Sequence, residues 1–69
     1  MQRIDHQLAR DLAEQVRRAC LEQAMAAYEE GGLSGLCAEG RWELAMDALR
    51  SMRLEGVVNE WLHSARQAE

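Results

Sequence analysis

The scarcity of β-branched residues restricts what this chain can form more than any other feature. There are four of them among the 69 residues, namely Ile4, Val16, Val57 and Val58, and there is no threonine or proline. A β-sheet needs more such residues, because branched side chains pack well on a pleated surface. The strong helix formers Ala, Leu, Glu, Gln, Arg and Met dominate instead. The sequence therefore predicts an all-α fold.

Capping residues and glycines divide the chain into three predicted helices, over about 5–30, 34–51 and 54–66. Asp5 is a favourable N-cap for the first helix, and Gly31-Gly32 is a typical stop. Ser34 is the expected N-cap of the second helix, which we predict to continue through Gly40, the alternative being a break there into two shorter helices. We predict a three-helix bundle with a long first helix, forming a single domain over 1–69.

The apolar stripe of helix one changes direction along its length. Ile4, Leu8 and Leu12 centre on one side, whereas Leu21 and Met25 centre about half a turn away. Helix two, returning antiparallel, is expected to cover the C-terminal half of this stripe. Helix three is shorter and covers part of the rest, so that Ile4 and Leu8 remain open in a monomer.

Helix two carries two apolar stripes, which predicts a central position packed on both sides. Its second stripe holds Trp42, Met46 and Leu49. Trp42 lies between Arg41 and Glu43, and aromatic anchors flanked by charge are typical of interface centres. The alternative for Trp42 is the core. Trp61, on the single apolar arc of helix three, is predicted to lie in the core.

The small size of the chain favours a second subunit. A chain of 7.8 kDa hides only about 60% of its unfolded surface on folding, which is marginal for a monomer. We therefore predict a homodimer whose contacts come from six side chains, Ile4, Leu8, Leu12, Trp42, Met46 and Leu49. The alternative is a monomer in which splayed helices cover both stripes of helix one.

No constellation of side chains in the sequence predicts catalysis, a metal site or a cofactor, so we do not expect an enzyme. Cys20 and Cys37 are far apart, whereas zinc ligands usually occur in closely spaced pairs. A net charge of −4 argues against nucleic acid and anionic membranes as partners. No apolar run matches a signal or membrane segment, so we expect a soluble cytoplasmic protein with reduced thiols.

One stretch resembles a known pattern. Residues 35–43 read G-L-C-A-E-G-R-W-E, and Ala48-Leu49-Arg50 follows. This resembles short, uncharacterised bacterial helical proteins over about a third of the chain, and the resemblance implies a bacterial source and no established activity. Some of those proteins carry an acetyltransferase label. The common α/β acetyltransferases need a sheet and a glycine-rich pyrophosphate loop, and this sequence provides neither.

The sequence thus predicts a small interaction or accessory module that acts through protein contacts as a homodimer. Two alternatives from other classes remain open. One is a dimeric regulator that binds nucleic acid, and the other is a thiol or metal sensor that uses Cys20 and Cys37.

Overall fold

The computed structural model describes residues 5–67, and within them it confirms the predicted all-α fold of three helices with no strand. The helices are α1 (His6–Leu33), α2 (Ala38–Ser51) and α3 (Glu55–Gln67). With 28 residues, α1 is the longest, as predicted. None of these three helices has both the length and the apolar character needed to cross a membrane.

The start of α1 is confirmed and its predicted end is wrong. Asp5 caps the helix, because its Oδ1 accepts a 2.8 Å hydrogen bond from the N–H of Leu8. The helix continues through Gly31-Gly32 to Leu33. It is terminated by Gly35, whose φ of +86° is left-handed. Leu36 N–H donates to Gly31 O (2.9 Å) and Gly35 N–H donates to Gly32 O (3.1 Å). This pair of bonds is the Schellman motif, which requires a left-handed residue just beyond the helix.

The later stop of α1 also moves the start of α2. The helix begins at Ala38 and its N-cap is Cys37, so the prediction that Ser34 is the N-cap is wrong. Gly40 lies in the first turn, and α2 continues through it without a break. The predicted end near Ser51 is confirmed, and α3 begins within one residue of its predicted start at Leu54.

Packing divides the chain into two compact units, and α1 runs through both of them. The prediction that helix two is central and packed on both sides stays a prediction. The prediction of one domain over 1–69 stays a prediction.

The first unit combines the N-terminal half of α1 with α3. Its centre is Trp61, which is 7% exposed and thus lies in the core as predicted. The indole N–H of Trp61 donates a 3.1 Å hydrogen bond to Oδ2 of Asp11. A buried indole needs such a partner, because an unpaired polar group away from water is costly.

The second unit is an antiparallel hairpin of the C-terminal half of α1 and α2. The two helices approach each other closely at Gly31, where an added Cβ would lie 3.0 Å from Cδ1 of Leu44 and 3.4 Å from Cα of Arg41. Ala45, also small, is buried. Gly31 thus serves close helix contact and does not end the helix.

Substitutions at two glycines test whether the left-handed conformation of Gly35 is required between α1 and α2. Gly35→Ala should lower the free energy of unfolding by about 1–2 kcal/mol, because an L-residue is strained at left-handed φ. Gly56→Ala, in the first turn of α3, should raise it by up to about 1 kcal/mol, because alanine is the better helix former. An added Cβ meets nothing within 4 Å at either position, so packing does not contribute. Urea denaturation measures both, and shifts of the same sign would contradict this account.

Candidate interaction surface

Three large apolar side chains are exposed side by side on the hairpin. Met25 is 62% exposed, Trp42 is 59% exposed and Leu21 is 57% exposed. Leu21 and Met25 are one turn apart on α1 and therefore lie on the same face. Single exposed apolar residues are normal, but a contiguous group with an aromatic centre is typical of a contact site.

Met25 and Trp42 line a groove of about 300 Å³ between the two helices, which we call the α1–α2 groove. Its lining consists of Ala24, Met25, Tyr28, Glu29, Trp42, Ala45 and Met46. Apart from the side chain of Glu29, the lining is almost wholly apolar. A groove with these properties is the kind of surface that accepts the apolar face of another helix.

Helical periodicity explains how the groove arises. On α1, residues 21, 24, 25 and 28 follow i, i+3, i+4, i+7 spacing, and on α2, residues 42, 45, 46 and 49 do the same. One edge of each stripe packs against the other helix at Ala45. The remaining edges face outward together and form the two walls of the groove.

Arg41 fixes the hairpin beside the groove. Its Nε donates a 3.2 Å hydrogen bond to the carbonyl oxygen of Tyr28, and its guanidinium lies 4.4 Å from the centroid of the Tyr28 ring. A Cβ on Gly32 would lie 2.5 Å from the Arg41 guanidinium, so the glycine makes room for it. The cation also lies near the C-terminal, negative end of α1, which is favourable.

The structure brings together some of the predicted contact residues and separates others. Trp42 and Met46 line the groove, and Leu49 is half-buried one turn further along α2. Leu8, 38% exposed, and Leu12, half-buried, belong to the first unit. Ile4 lies outside the described residues.

Sequence reasoning missed the contribution of α1 to this surface. The sequence predicts that helix two covers the C-terminal half of the α1 stripe; α2 does reach Met25, but Leu21 and Met25 are each more than half exposed. Residues 21, 24, 25 and 28 form a broad apolar arc on α1, and α2 leaves part of it exposed. The width of that arc, including both Leu21 and Met25, was the signal in the sequence.

The alternative of a thiol or metal sensor would need cysteines or metal ligands that lie close together. Cys20 and Cys37 are both free thiols. Within residues 5–67, no three side chains among His, Cys, Asp and Glu are grouped so that they could hold a metal ion. On α2, Asp47 pairs with Arg50 at 2.9 Å on the surface, a contact of little energetic weight.

Cys37 has an unusual environment as the residue preceding α2. The backbone N–H groups of Gly40 and then Glu39 lower the pKa of its exposed thiol, although neither forms a hydrogen bond of standard geometry with the sulfur. The unpaired N–H groups of a helix N-terminus favour a thiolate over a thiol. Folding therefore increases the thiolate fraction of Cys37 at pH values below its ordinary pKa.

The lowered pKa of Cys37 predicts how the rate of its alkylation depends on pH. Iodoacetamide should modify Cys37 with a half-maximal rate at lower pH in the folded chain than in the chain unfolded by urea, because the thiolate is the nucleophile. Mass spectrometry of the Cys37 peptide measures the rate, and Cys37→Ser identifies the signal. Superimposable profiles for folded and unfolded chains would contradict the expectation.

Comparison of the chain with protein-family models, with curated proteins and with solved structures yields no significant match.

Proposed function

We propose that the chain is a protein–protein interaction module that works as a homodimer. The observation that carries the proposal is the amount of apolar surface left open. Among the described residues, the buried hydrophobic side chains are Ala45 and Trp61, and no side chain is fully buried. Ten large hydrophobic side chains are exposed: Leu8, Leu21, Met25, Tyr28, Leu33, Leu36, Trp42, Leu44, Leu54 and Leu62.

The size of the chain supports a second subunit. A chain of 7.8 kDa hides only about 60% of its unfolded surface on folding, which is marginal for a monomer. A standard protein interface covers about 800 Å² on each partner, so a second copy would add substantially to the apolar surface that is buried.

The contact residues of the proposed homodimer are drawn from both units. The first unit offers Leu8 and Leu12, and the second offers Trp42, Met46 and Leu49. Ile4 belongs to the same proposal. A bacterial origin and a cytoplasmic location stay predictions that rest on the resemblance of residues 35–43 and on the composition of the chain.

Capture between two forms of the purified chain tests the proposal. A copy fused to an affinity tag and a larger carrier domain should retain the untagged chain at micromolar concentration. Because apolar contacts are not screened by ions, raising the salt concentration should not release it. Binding to nucleic acid would instead weaken steeply with salt. Failure to retain the untagged chain at several hundred micromolar would contradict the proposal.

A further inference from the structure

We infer that the second copy docks on the α1–α2 groove, so that the hairpins of two chains form one four-helix core with Trp42 of each chain buried in it. This inference rests on the proposed homodimer and adds which of the two units holds the contact and how the two copies pack there. It concerns only the second unit, the hairpin of α1 and α2.

Within the second unit, the two helices of the hairpin form a single layer. Its two helices pack through one seam at Gly31 and Ala45, and the face beside that seam holds the groove. Secondary structure is stable when two layers enclose a shared core, because each layer must cover its apolar side. Two antiparallel hairpins packed face to face form a four-helix bundle, and a second copy supplies such a hairpin.

The chemistry of the groove suits contact with itself. In a two-fold dimer the same patch lies on both sides, so each side chain near the axis faces a copy of itself or a close neighbour. Like charges in that position would repel. Met25 and Trp42 are neutral, and Glu29 is the one charged side chain in the lining. Such a surface tolerates its own copy although the chain as a whole carries a net charge of −4.

The second unit offers a better contact than the first. Met25 and Trp42 in the groove lining are each more than half exposed, whereas Leu8 in the first unit is exposed to a smaller extent. Tryptophan and methionine are enriched at interface centres, and tryptophan frequently carries much of the binding energy. The groove also provides a concave site of about 300 Å³ next to Trp42, into which the partner's apolar side chains can pack.

Glutamate substitutions test the inference by sedimentation equilibrium. Trp42→Glu and Met25→Glu should each weaken the dimer at least about 30-fold, as expected for the loss of an interface hot spot. Leu8→Glu is the comparison on the first unit, where the proposed homodimer also draws contacts, and it should weaken the dimer less than either groove variant. Leu33→Glu is the control on the hairpin, because Leu33 is 90% exposed and lies outside the groove lining. Leu33→Glu should keep the dimer within about threefold of the unaltered chain.

Circular dichroism shows whether each variant remains helical. Met25→Glu removes little packing, so it keeps the test valid if Trp42→Glu unfolds. Acrylamide quenching of the unaltered chain gives a second readout. Trp61 is already buried, so a fall in quenching with rising concentration reports on Trp42.

The outcomes separate the inference from the proposed function. A dimer that survives Trp42→Glu and Met25→Glu but not Leu8→Glu overturns the inference and leaves the homodimer standing. A chain that is monomeric near 1 mM, with quenching independent of concentration, overturns both. A chain that is monomeric alone but binds an apolar helix of another protein through Trp42 also overturns the inference, because the occupant is then different.

Discussion

Trp61→Ala should remove most of the folding free energy of the chain. Deleting a buried tryptophan side chain costs about 3–5 kcal/mol, through lost burial and the cavity left behind. A chain of 69 residues has only about 3–10 kcal/mol in total. The change also removes the hydrogen bond that the carboxylate of Asp11 accepts from the indole N–H. We expect a large loss of helical signal, or a urea midpoint shifted far toward zero, in circular dichroism.

The control for Trp61→Ala is the same deletion at the other tryptophan. Trp42→Ala should cost less than about 1 kcal/mol in the monomer, because its side chain already lies mostly in water. Both variants are measured at concentrations low enough to avoid self-association, since dimerisation raises apparent stability by mass action. Equal losses at the two positions would show that Trp61 is not the centre of the first unit.

Ala45→Glu should have the second-largest effect on stability. Ala45 is buried where α2 meets α1, and Arg41, one turn away on α2, is already engaged with Tyr28. A buried, unpaired charge costs about 3–5 kcal/mol, and the longer side chain also forces the helices apart. Thermal unfolding should begin at a markedly lower temperature, and hydrogen exchange should show reduced protection in the hairpin.

Ala26→Glu is the matched control, because Ala26 lies on the exposed side of α1. That variant should be within about 0.5 kcal/mol of the unaltered chain. Hydrogen exchange on Ala45→Glu also tests the prediction of a single domain. A single cooperative domain loses protection in both units, whereas loss confined to 19–52 would contradict that prediction.

The parts of the fold that local chemistry decides could be predicted from the sequence. Asp5 caps α1 because its side chain lies beside the first free N–H groups. Trp61 lies in the core because its spacing places it on the only apolar arc of α3. The absence of strands within residues 5–67 follows from a composition poor in β-branched residues.

The end of α1 depended on which of several glycines adopts left-handed φ. Gly31, Gly32 and Gly35 all fit a helix stop by composition, but only Gly35 has the positive φ. The first two glycines are needed where Arg41 and Leu44 approach α1. That requirement comes from the packing of α2, which spacing along the chain does not reveal.

The candidate surface could be predicted only in part, because it too depends on how α1 and α2 pack together. The spacing of Trp42 and Met46 correctly placed them together on α2. Whether α2 also covers Met25 depends on the width of the helix–helix seam. Small residues at Gly31 and Ala45 make this seam narrow and close, so Met25 remains exposed beside it.

Static light scattering of the unaltered chain tests the central claim of self-association most directly. Measured over a hundredfold range of concentration, the mass should approach about 15.6 kDa, twice the 7.8 kDa of one chain, and should fall toward the monomer value on dilution. A mass of 7.8 kDa at every concentration would contradict the homodimer and, with it, the docking of a second copy on the α1–α2 groove.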